Sequence, residues 1–361
     1  MKIGRNFTNT FVFDVLEKGE QEKILNGTLS LFSMNALGLV KFKKNVEFQI
    51  KKAKELGLDH IELDCDVPNP YPEFSKESRK KIKKFAEDNG ISLSVHLSYS
   101  NVGSSISSLQ ELDRSFAVKL QNVYVDFASD IGAKYLVMHP GTAPFYMISD
   151  IYMKQFFNSV VKSFTEIGKY AQDKGLKLHI ENNVSFDSLF VEPEDCIEVV
   201  KAVRSNGAKI YFNFDIGHWF TRAEKGKEIP KNPEEILKII PDDFICEVHL
   251  NDFVPSSSDP QKQFTFHPPL NQTKGPLQRE NLEIRKKYGE LIEIDKEKSD
   301  FIMVTSHQLR TPLTEMRWSL DQVLGQSALD EKSLIILKKN QESVNRLAAI
   351  VDDMLKTSAF E

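Results

Sequence analysis

The chain has 361 residues, 40% of them hydrophobic, so it is long enough to bury a sizeable core. Its formal net charge of −5 at pH 7 argues against a general nucleic-acid binder, because such proteins gain much of their affinity from Lys and Arg on phosphates. No apolar run approaches the roughly 18 residues of a membrane span, and the start of the chain lacks a secretory segment. The three scattered cysteines form no C-x-x-C pair, which fits a reducing compartment. These features predict a cytoplasmic protein that has no membrane partner and is not expected to bind nucleic acid.

Short apolar runs alternate with amphipathic helical stretches from about Thr28 onward. Helical stretches such as SRKKIKKFAEDNG end in Gly just before the next apolar run, as helices commonly do. The apolar runs are the predicted strands, and they lie at 28–34, 60–65, 91–97, 134–141, 177–183, 210–219, 245–252 and 290–295.

Eight strand–helix units over roughly 265 residues predict an α/β protein with a (β/α)8 TIM barrel at 28–295, because such barrels usually have about 250 residues. Residues 1–27 are interpreted as an N-terminal extension. The alternative is an open doubly wound sheet. That fold would normally carry a G-x-G-x-x-G loop after its first strand, and the chain contains no such motif.

Histidines and carboxylates lie at or just after the predicted strand ends. The chain has eight histidines, and those at strand ends of the barrel are His96, His139, His218, His249 and His267. The carboxylates in similar positions are Glu181, Asp215, Asp252 and Glu293. Strand ends of a parallel barrel converge on one face, and these side chains are ligands for divalent metals. A single strand-end histidine is more often a satisfied polar residue, but a set on successive strands predicts a metal site, since burying so many charges without a metal would be costly.

Two histidines fall outside this pattern. His60 begins its predicted strand, and His179 lies inside one. Both are interpreted as structural, with the side chain of His179 turned toward the helix layer by strand alternation.

Four motifs, VMHPG, IENN, FDIGH and HLND, follow one another at these strand ends. Together they resemble the xylose-isomerase-like superfamily, which includes sugar isomerases and epimerases as well as endonuclease IV-type abasic-site nucleases. The resemblance covers about Thr28 to Asp295. The metal site that it implies, with a zinc-, manganese- or magnesium-like divalent ion, consists of Glu181, Asp215, His249 and Glu293.

The remaining histidines bear on the choice between the two branches of that superfamily. His96 and His139 match positions that hold a further metal in the nuclease branch, and His218 matches the histidine of a D-x-x-H motif found in both branches. The nuclease branch also expects D-x-H where this chain reads Thr265-Phe266-His267, so the aspartate is missing although His267 is retained as a candidate ligand.

Three functions are compatible with this arrangement. The favoured one is a metal-dependent isomerase or epimerase of a small sugar or sugar phosphate, in which Glu181 and Glu293 remove and return a proton. The alternative is metal-assisted phosphodiester hydrolysis at an abasic site. A third is a barrel that binds a sugar without turning it over and serves as a sensor for the C-terminal segment.

The C-terminal segment has a different pattern. Apolar residues recur every three or four positions in two stretches separated by GQSALD, which predicts a helical hairpin at 296–361. Because each helix has one apolar face, two copies are expected to pair into a four-helix bundle, giving a homodimer. The sequence SHQLRTPL (306–313) resembles the phosphoacceptor box in the dimerisation domain of sensor histidine kinases, which implies that His307 is the phosphoacceptor.

The ATP-binding domain that accompanies this hairpin in histidine kinases is not recognisable in the sequence. We therefore expect either a separate kinase subunit that supplies the phosphate or a truncated or fused sensor kinase, with a response regulator as a further candidate partner. Residues 288–294 are ambiguous, because they fit both the eighth strand and a helical linker into the hairpin. The strand interpretation is favoured by the Gly break and the strand-end carboxylate of YGELIEID.

Overall fold

The computed structural model describes residues 2–8, 10–185, 189–230, 233–251, 253–254 and 265–266. Their main feature is one parallel sheet with strand order β1 to β7. Its strands are β1 (Gly4–Asn6), β2 (His60–Asp64), β3 (Ser92–His96), β4 (Tyr135–Met138), β5 (Lys177–Glu181), β6 (Tyr211–Asp215) and β7 (Ile245–His249). A separate antiparallel pair consists of β8 (Phe253–Val254) and β9 (Thr265–Phe266).

Six of the predicted strands coincide with β2 to β7, and the alternation of strands and helices is confirmed. The predicted strand at 28–34 is wrong, because these residues lead into the helix α2 (Leu31–Lys44). The first strand is instead β1, which lies inside the segment interpreted as an N-terminal extension. Strand β1 has only three residues, GRN, and therefore no apolar alternation from which to predict it. The predicted strand at 290–295 lies outside the described residues.

Helices follow most strands of the sheet, and their ends carry recognisable signals. The helices are α3 (Val46–Glu55), α4 (Lys76–Asn89), α5 (Glu111–Asp130), α6 (Asp150–Asp173), α7 (Pro193–Ser205) and α8 (Ile216–Phe220). The Ser75 hydroxyl caps α4 by accepting from the Ser78 N–H, and Gly90 ends the same helix in the left-handed conformation. The predicted strand at 210–219 was too long, because its last residues form α8.

The chain divides into two compact units. The sheet belongs to the first unit, Met1–Thr8 with Lys43–Glu290, and the second combines Asn9–Phe42 with Leu291–Glu361. In the described part of the second unit, α1 (Lys18–Leu25) begins with a capping box in which Glu17 and Glu20 satisfy each other's backbone N–H groups. Among the helices of the described residues, none combines the length and apolar character that a membrane span requires.

Strand alternation separates an apolar layer from a polar one. On β2, Ile61 and Leu63 are fully buried, whereas Glu62 makes polar contacts with residues of other strands. Fully burying an aliphatic side chain contributes about 1.5–3 kcal/mol, so the apolar face stabilises the packing of helices on the sheet. The polar side chains of β2 and β7 approach each other, with His249 Nε2 3.4 Å from Glu62 Oε2, which requires a curved sheet. Such curvature brings the carboxyl ends of the strands toward one region.

Candidate metal centre

The structure brings six of the predicted ligands together at the carboxyl ends of the strands. His96, Glu181, Asp215 and His249 each end a strand, His139 directly follows β4, and His218 lies in the short helix after β6. The other two candidate ligands, His267 and Glu293, lie outside the described residues.

Glu181 is the centre of this cluster. Its side chain is completely buried, and its Oε2 atom lies 2.9 Å from His96 Nε2 and 3.4 Å from His139 Nε2. Its Oε1 atom lies 2.7 Å from His249 Nδ1. One carboxylate therefore faces three imidazole rings that come from three different strands.

Asp215 forms the second carboxylate of the cluster. Its Oδ1 atom accepts the backbone N–H of His218 at 2.8 Å, and its Oδ2 atom accepts the side-chain N–H of Asn251 at 2.6 Å. The same Oδ2 atom lies 3.6 Å from His218 Nε2 and 3.8 Å from His249 Nδ1. Burial raises the pKa of Asp215, against the opposing effect of His218.

Three of the rings are oriented by hydrogen bonds of their Nδ1 atoms. His96 Nδ1 lies 2.9 Å from the carbonyl oxygen of Leu97, and His218 Nδ1 lies 2.9 Å from that of Asn182. A carbonyl oxygen only accepts, so both Nδ1 atoms carry hydrogen. His139 Nδ1 lies 2.9 Å from Asn183 Oδ1. The Nε2 atoms of these rings thus face the carboxylate oxygens.

This arrangement fits a bound cation. A neutral imidazole with hydrogen on Nδ1 presents a lone pair at Nε2, and a lone pair next to a carboxylate oxygen is repelled unless a proton or a metal lies between them. Two sets of ligand atoms, each within 4.8 Å of one another, share Glu181. One set adds His96 and His139, and the other adds Asp215 and His218.

Two asparagines support the histidines and were not predicted. Asn183 donates its amide hydrogens to the carbonyl oxygens of Gly141 and Leu189 at 2.7 and 3.0 Å, which leaves its oxygen for His139. Asn182 exchanges two hydrogen bonds with the backbone of Asp215, both at 2.9 Å. The signal was present in the IENN motif, where both asparagines directly follow Glu181.

Tyr99 is a further residue near the cluster that the sequence does not predict. Its ring centroid lies 5.0 Å from that of His96 and 5.5 Å from that of His139, so it borders the cluster. The tyrosine is 40% exposed, so it lies at the solvent-facing edge of the cluster. Tyrosine is common in strands and loops, and nothing in the SVHLSYS sequence distinguishes this one.

The predicted orientation of His179 is wrong. His179 and Glu181 are two residues apart on one strand, so their side chains share a face. The ring of His179 lies 5.7 Å from that of Tyr135 and 5.4 Å from that of Tyr211, and its Nδ1 donates to the carbonyl oxygen of Leu136 at 3.0 Å. His179 therefore belongs to the polar face below the cluster.

The pKa values of two adjacent rings, His96 and His139, are shifted in opposite directions. Burial lowers the pKa of His96, but its hydrogen bond to Glu181 and the surrounding carboxylates outweigh burial and raise it to about 9. Burial is also the main influence on His139, and repulsion from His96 and His218 helps to lower its pKa to about 3. Although burial opposes it, the histidines around Glu181 hold the pKa of that carboxyl well below its usual range.

The metal-free protein should lose stability as the pH rises from 6.5 to 9. A histidine whose pKa is higher in the folded than in the unfolded state stabilises the fold below its unfolded pKa of 6.5, and this stabilisation is lost as the pH passes the folded value of about 9. The expected loss for His96 is on the order of 3 kcal/mol. Urea denaturation of chelator-treated protein at pH 6.5 and pH 9 measures it. His96→Gln should show a smaller pH dependence, and an equal dependence in both proteins would contradict the assignment.

Gly141, in the VMHPG motif, should tolerate alanine poorly. It has φ +84°, and a Cβ atom there would lie 2.5 Å from the carbonyl oxygen of Ser104. Gly175 provides a matched control, because it has φ +74° with nothing within 4 Å of the added Cβ. The left-handed conformation alone costs about 1–2 kcal/mol for alanine. Denaturation should therefore show that Gly141→Ala loses at least about 1 kcal/mol more than Gly175→Ala; equal losses would be contrary evidence.

Comparison with known proteins agrees with this geometry. Residues 50–275 match the family described as Xylose isomerase-like TIM barrel, and residues 297–361 match the His Kinase A (phospho-acceptor) domain. A solved structure of a D-tagatose 3-epimerase-like protein shares the fold, with a TM-score of 0.51 and 19% identity over 81% of this chain and 87% of that one.

Two curated relatives match separate parts of the chain. An uncharacterized protein of Methanocaldococcus jannaschii is 24% identical over 194 residues, which are 54% of this chain and 63% of that protein. The sensor histidine kinase WalK of Bacillus subtilis is 36% identical over 70 residues, 19% of this chain and 11% of WalK. The chain thus spans less than two thirds of either relative. On the family match, which covers more than half of its length, the chain belongs to the xylose isomerase-like TIM barrel family, and it carries a His Kinase A phospho-acceptor domain at residues 297–361.

Proposed function

We propose that the barrel is a metal-dependent isomerase or epimerase of a sugar or sugar phosphate. The observation that carries the proposal is the convergence of Glu181, Asp215 and His249 at the strand ends, with the carboxylate of Glu181 in reach of three imidazole rings. Both carboxylates and His249 are ligand types that zinc and manganese accept. A divalent cation bound here would polarise the substrate oxygens next to the reacting carbon.

In this proposal, two carboxylates of the protein transfer the proton. Glu181 is completely buried, and its low pKa keeps it ionised at neutral pH, which is the form required of a base. Glu293, which lies outside the described residues, is proposed as the second acid–base group on the other side of the substrate carbon. Tyr99, beside His96 and His139, is placed to border the substrate.

Proton exchange with solvent tests this proposal directly. The full chain with Mn²⁺ or Co²⁺ is incubated in D₂O with ketohexoses, ketopentoses and their phosphates, and NMR follows deuterium at the carbon next to the carbonyl. The proposal predicts exchange and a new epimer or isomer with at least one sugar, and neither with Glu181→Gln. A sugar that binds without exchange would support the sensor function instead.

A second candidate, hydrolysis of DNA at abasic sites, is favoured by one observation. His96 and His139 form a second set of ligand atoms with Glu181, which a single-metal isomerase does not need. Paired metals that share a carboxylate suit phosphodiester hydrolysis. The net charge of −5 and Thr265, where an aspartate is expected, weigh against it. Cleavage of an abasic-site duplex, with more than one metal ion per chain, would favour this candidate over the isomerase.

For the C-terminal segment we propose a helical hairpin at 296–361 that dimerises into a four-helix bundle. The proposal rests on the helical spacing of its apolar residues and on the domain match. His307 would accept a phosphoryl group from the ATP-binding domain of a separate kinase, with a response regulator as recipient. The combination with a sugar-specific barrel suggests that sugar binding modulates phosphoryl transfer.

A further inference from the structure

Glu62 is a buried carboxylate on β2. The curvature of the sheet brings its side chain close to that of His249 on β7. The residue is 6% exposed, and apart from the nearby imidazole of His249 its Oε2 atom has no hydrogen-bond donor among the described residues. This atom lies 3.4 Å from Nε2 of His249. A buried carboxylate oxygen without a donor is costly, so its approach to the imidazole calls for an explanation.

The two nitrogens of His249 face different partners. Nδ1 lies 2.7 Å from Glu181 and 3.8 Å from Asp215, which places it at the proposed metal site. Nε2 faces Glu62 alone among the ion pairs that His249 makes in the described residues. A neutral imidazole that binds a cation through Nδ1 must carry its hydrogen on Nε2.

Glu62 is itself held in place. The side-chain N–H of Asn6, on β1, donates to Glu62 Oε1 at 3.3 Å. The oxygen of Asn6 accepts the backbone N–H of Thr8 at 2.9 Å, which fixes the asparagine amide. A short chain of contacts therefore runs from β1 through Glu62 to His249.

We infer that Glu62 is a positioning residue, which accepts the Nε2 hydrogen of His249 and so directs the Nδ1 lone pair toward Glu181 and Asp215. Carboxylates that hold a ligating histidine in this way set its tautomer and orientation, and their loss typically weakens metal affinity by about 10–100-fold. The inference rests on the proposed metal-dependent function of the same site.

Glu247 provides a control for the loss of charge alone. Its carboxylate belongs with Glu62 and His249 to a third set of ligand atoms within 4.8 Å of one another, and its Oε2 atom also has no hydrogen-bond partner among the described residues. Unlike Glu62, it forms no ion pair with His249, and its Oε1 atom accepts from the Ser94 hydroxyl at 3.4 Å. Replacing Glu247 with Gln removes a negative charge near His249 without removing the acceptor for its Nε2 hydrogen.

Titration of the full chain with Co²⁺, followed by its d–d absorption, tests the inference. Glu62→Met, which has no acceptor, should bind Co²⁺ about 10–100-fold more weakly than the native chain. Glu62→Gln keeps an acceptor oxygen but no charge, and should lie between the two with the native d–d spectrum. Glu247→Gln should weaken Co²⁺ binding less than Glu62→Met does, because it removes a charge but leaves the acceptor for the Nε2 hydrogen of His249 in place.

The outcomes separate the possible errors. Native affinity in both Glu62 variants would overturn the inference, as would Glu247→Gln weakening binding as much as Glu62→Met. Glu62→Gln that is as weak as Glu62→Met and has an altered spectrum would make Glu62 a direct ligand instead. If Glu62→Met does not fold, the comparison of Glu62→Gln with Glu247→Gln decides, because both variants lose one charge and only Glu62→Gln weakens the acceptor of the Nε2 hydrogen. A native chain that binds no Co²⁺ would refute the proposed function itself.

Discussion

Glu181→Gln should lower the catalytic efficiency of sugar isomerisation by about 10³-fold or more. The substitution keeps the size of the side chain but removes the negative charge that faces His96, His139 and His249. It also removes the proposed base, and a loss of 10³ corresponds to about 4 kcal/mol in the transition state. Steady-state rates with the sugar identified by deuterium exchange give the measurement.

Glu247→Gln is the control for this experiment, because it removes a buried carboxylate of the same sheet that has no assigned catalytic role. Its activity should remain within a fewfold of the native value. Circular dichroism and urea denaturation must show that Glu181→Gln is folded. A folded Glu181→Gln protein with near-native activity would remove Glu181 from the mechanism.

His307→Gln should abolish phosphorylation of the C-terminal segment. An imidazole nitrogen is the only nucleophile that the resemblance to the phosphoacceptor box assigns, and the glutamine amide cannot replace it. The full chain is incubated with radiolabelled ATP and the ATP-binding domain of a sensor histidine kinase, and incorporation is measured by gel autoradiography. Label on the native chain should be labile in acid, as phosphohistidine is, and the variant should show none.

Ser306→Ala is the matched control, since it removes the adjacent hydroxyl and leaves His307 intact. It should retain the label. Equal labelling of His307→Gln and the native chain would assign the phosphoryl group to another residue and remove the phosphoacceptor role, without affecting the barrel.

The parallel α/β architecture could be predicted because β2 to β7 carry recurring apolar residues and are separated by helices with clear end signals. Strand β1 could not be predicted, because its three residues carry no periodicity and it is defined as a strand only by its pairing with β2. The apolar run at 28–34 was predicted to be a strand and is not one, because its pattern is ambiguous. Its apolar residues continue at helical spacing into α2, and a short apolar run alone does not distinguish a helix from a strand.

The candidate ligands could be predicted because strand ends converge in any parallel barrel. The residues that hold these ligands in position could not be predicted from their spacing in the sequence. Asn182 and Asn183 act through backbone and ring contacts that depend on loop geometry, and Glu62 meets His249 only because the sheet is curved. The orientation of His179 was predictable in principle, since its separation of two residues from Glu181 places both on one face.

Metal analysis of the purified full chain tests the central claim most directly. After incubation with Mn²⁺, Co²⁺ or Zn²⁺ and removal of excess ion, mass spectrometry counts the metal per chain. The geometry predicts at least one tightly held ion in the native chain and a loss of that ion in Glu181→Gln. A native chain that holds no ion, or a variant that holds as much as the native chain, would contradict the claim that the strand-end carboxylates and histidines form a metal centre.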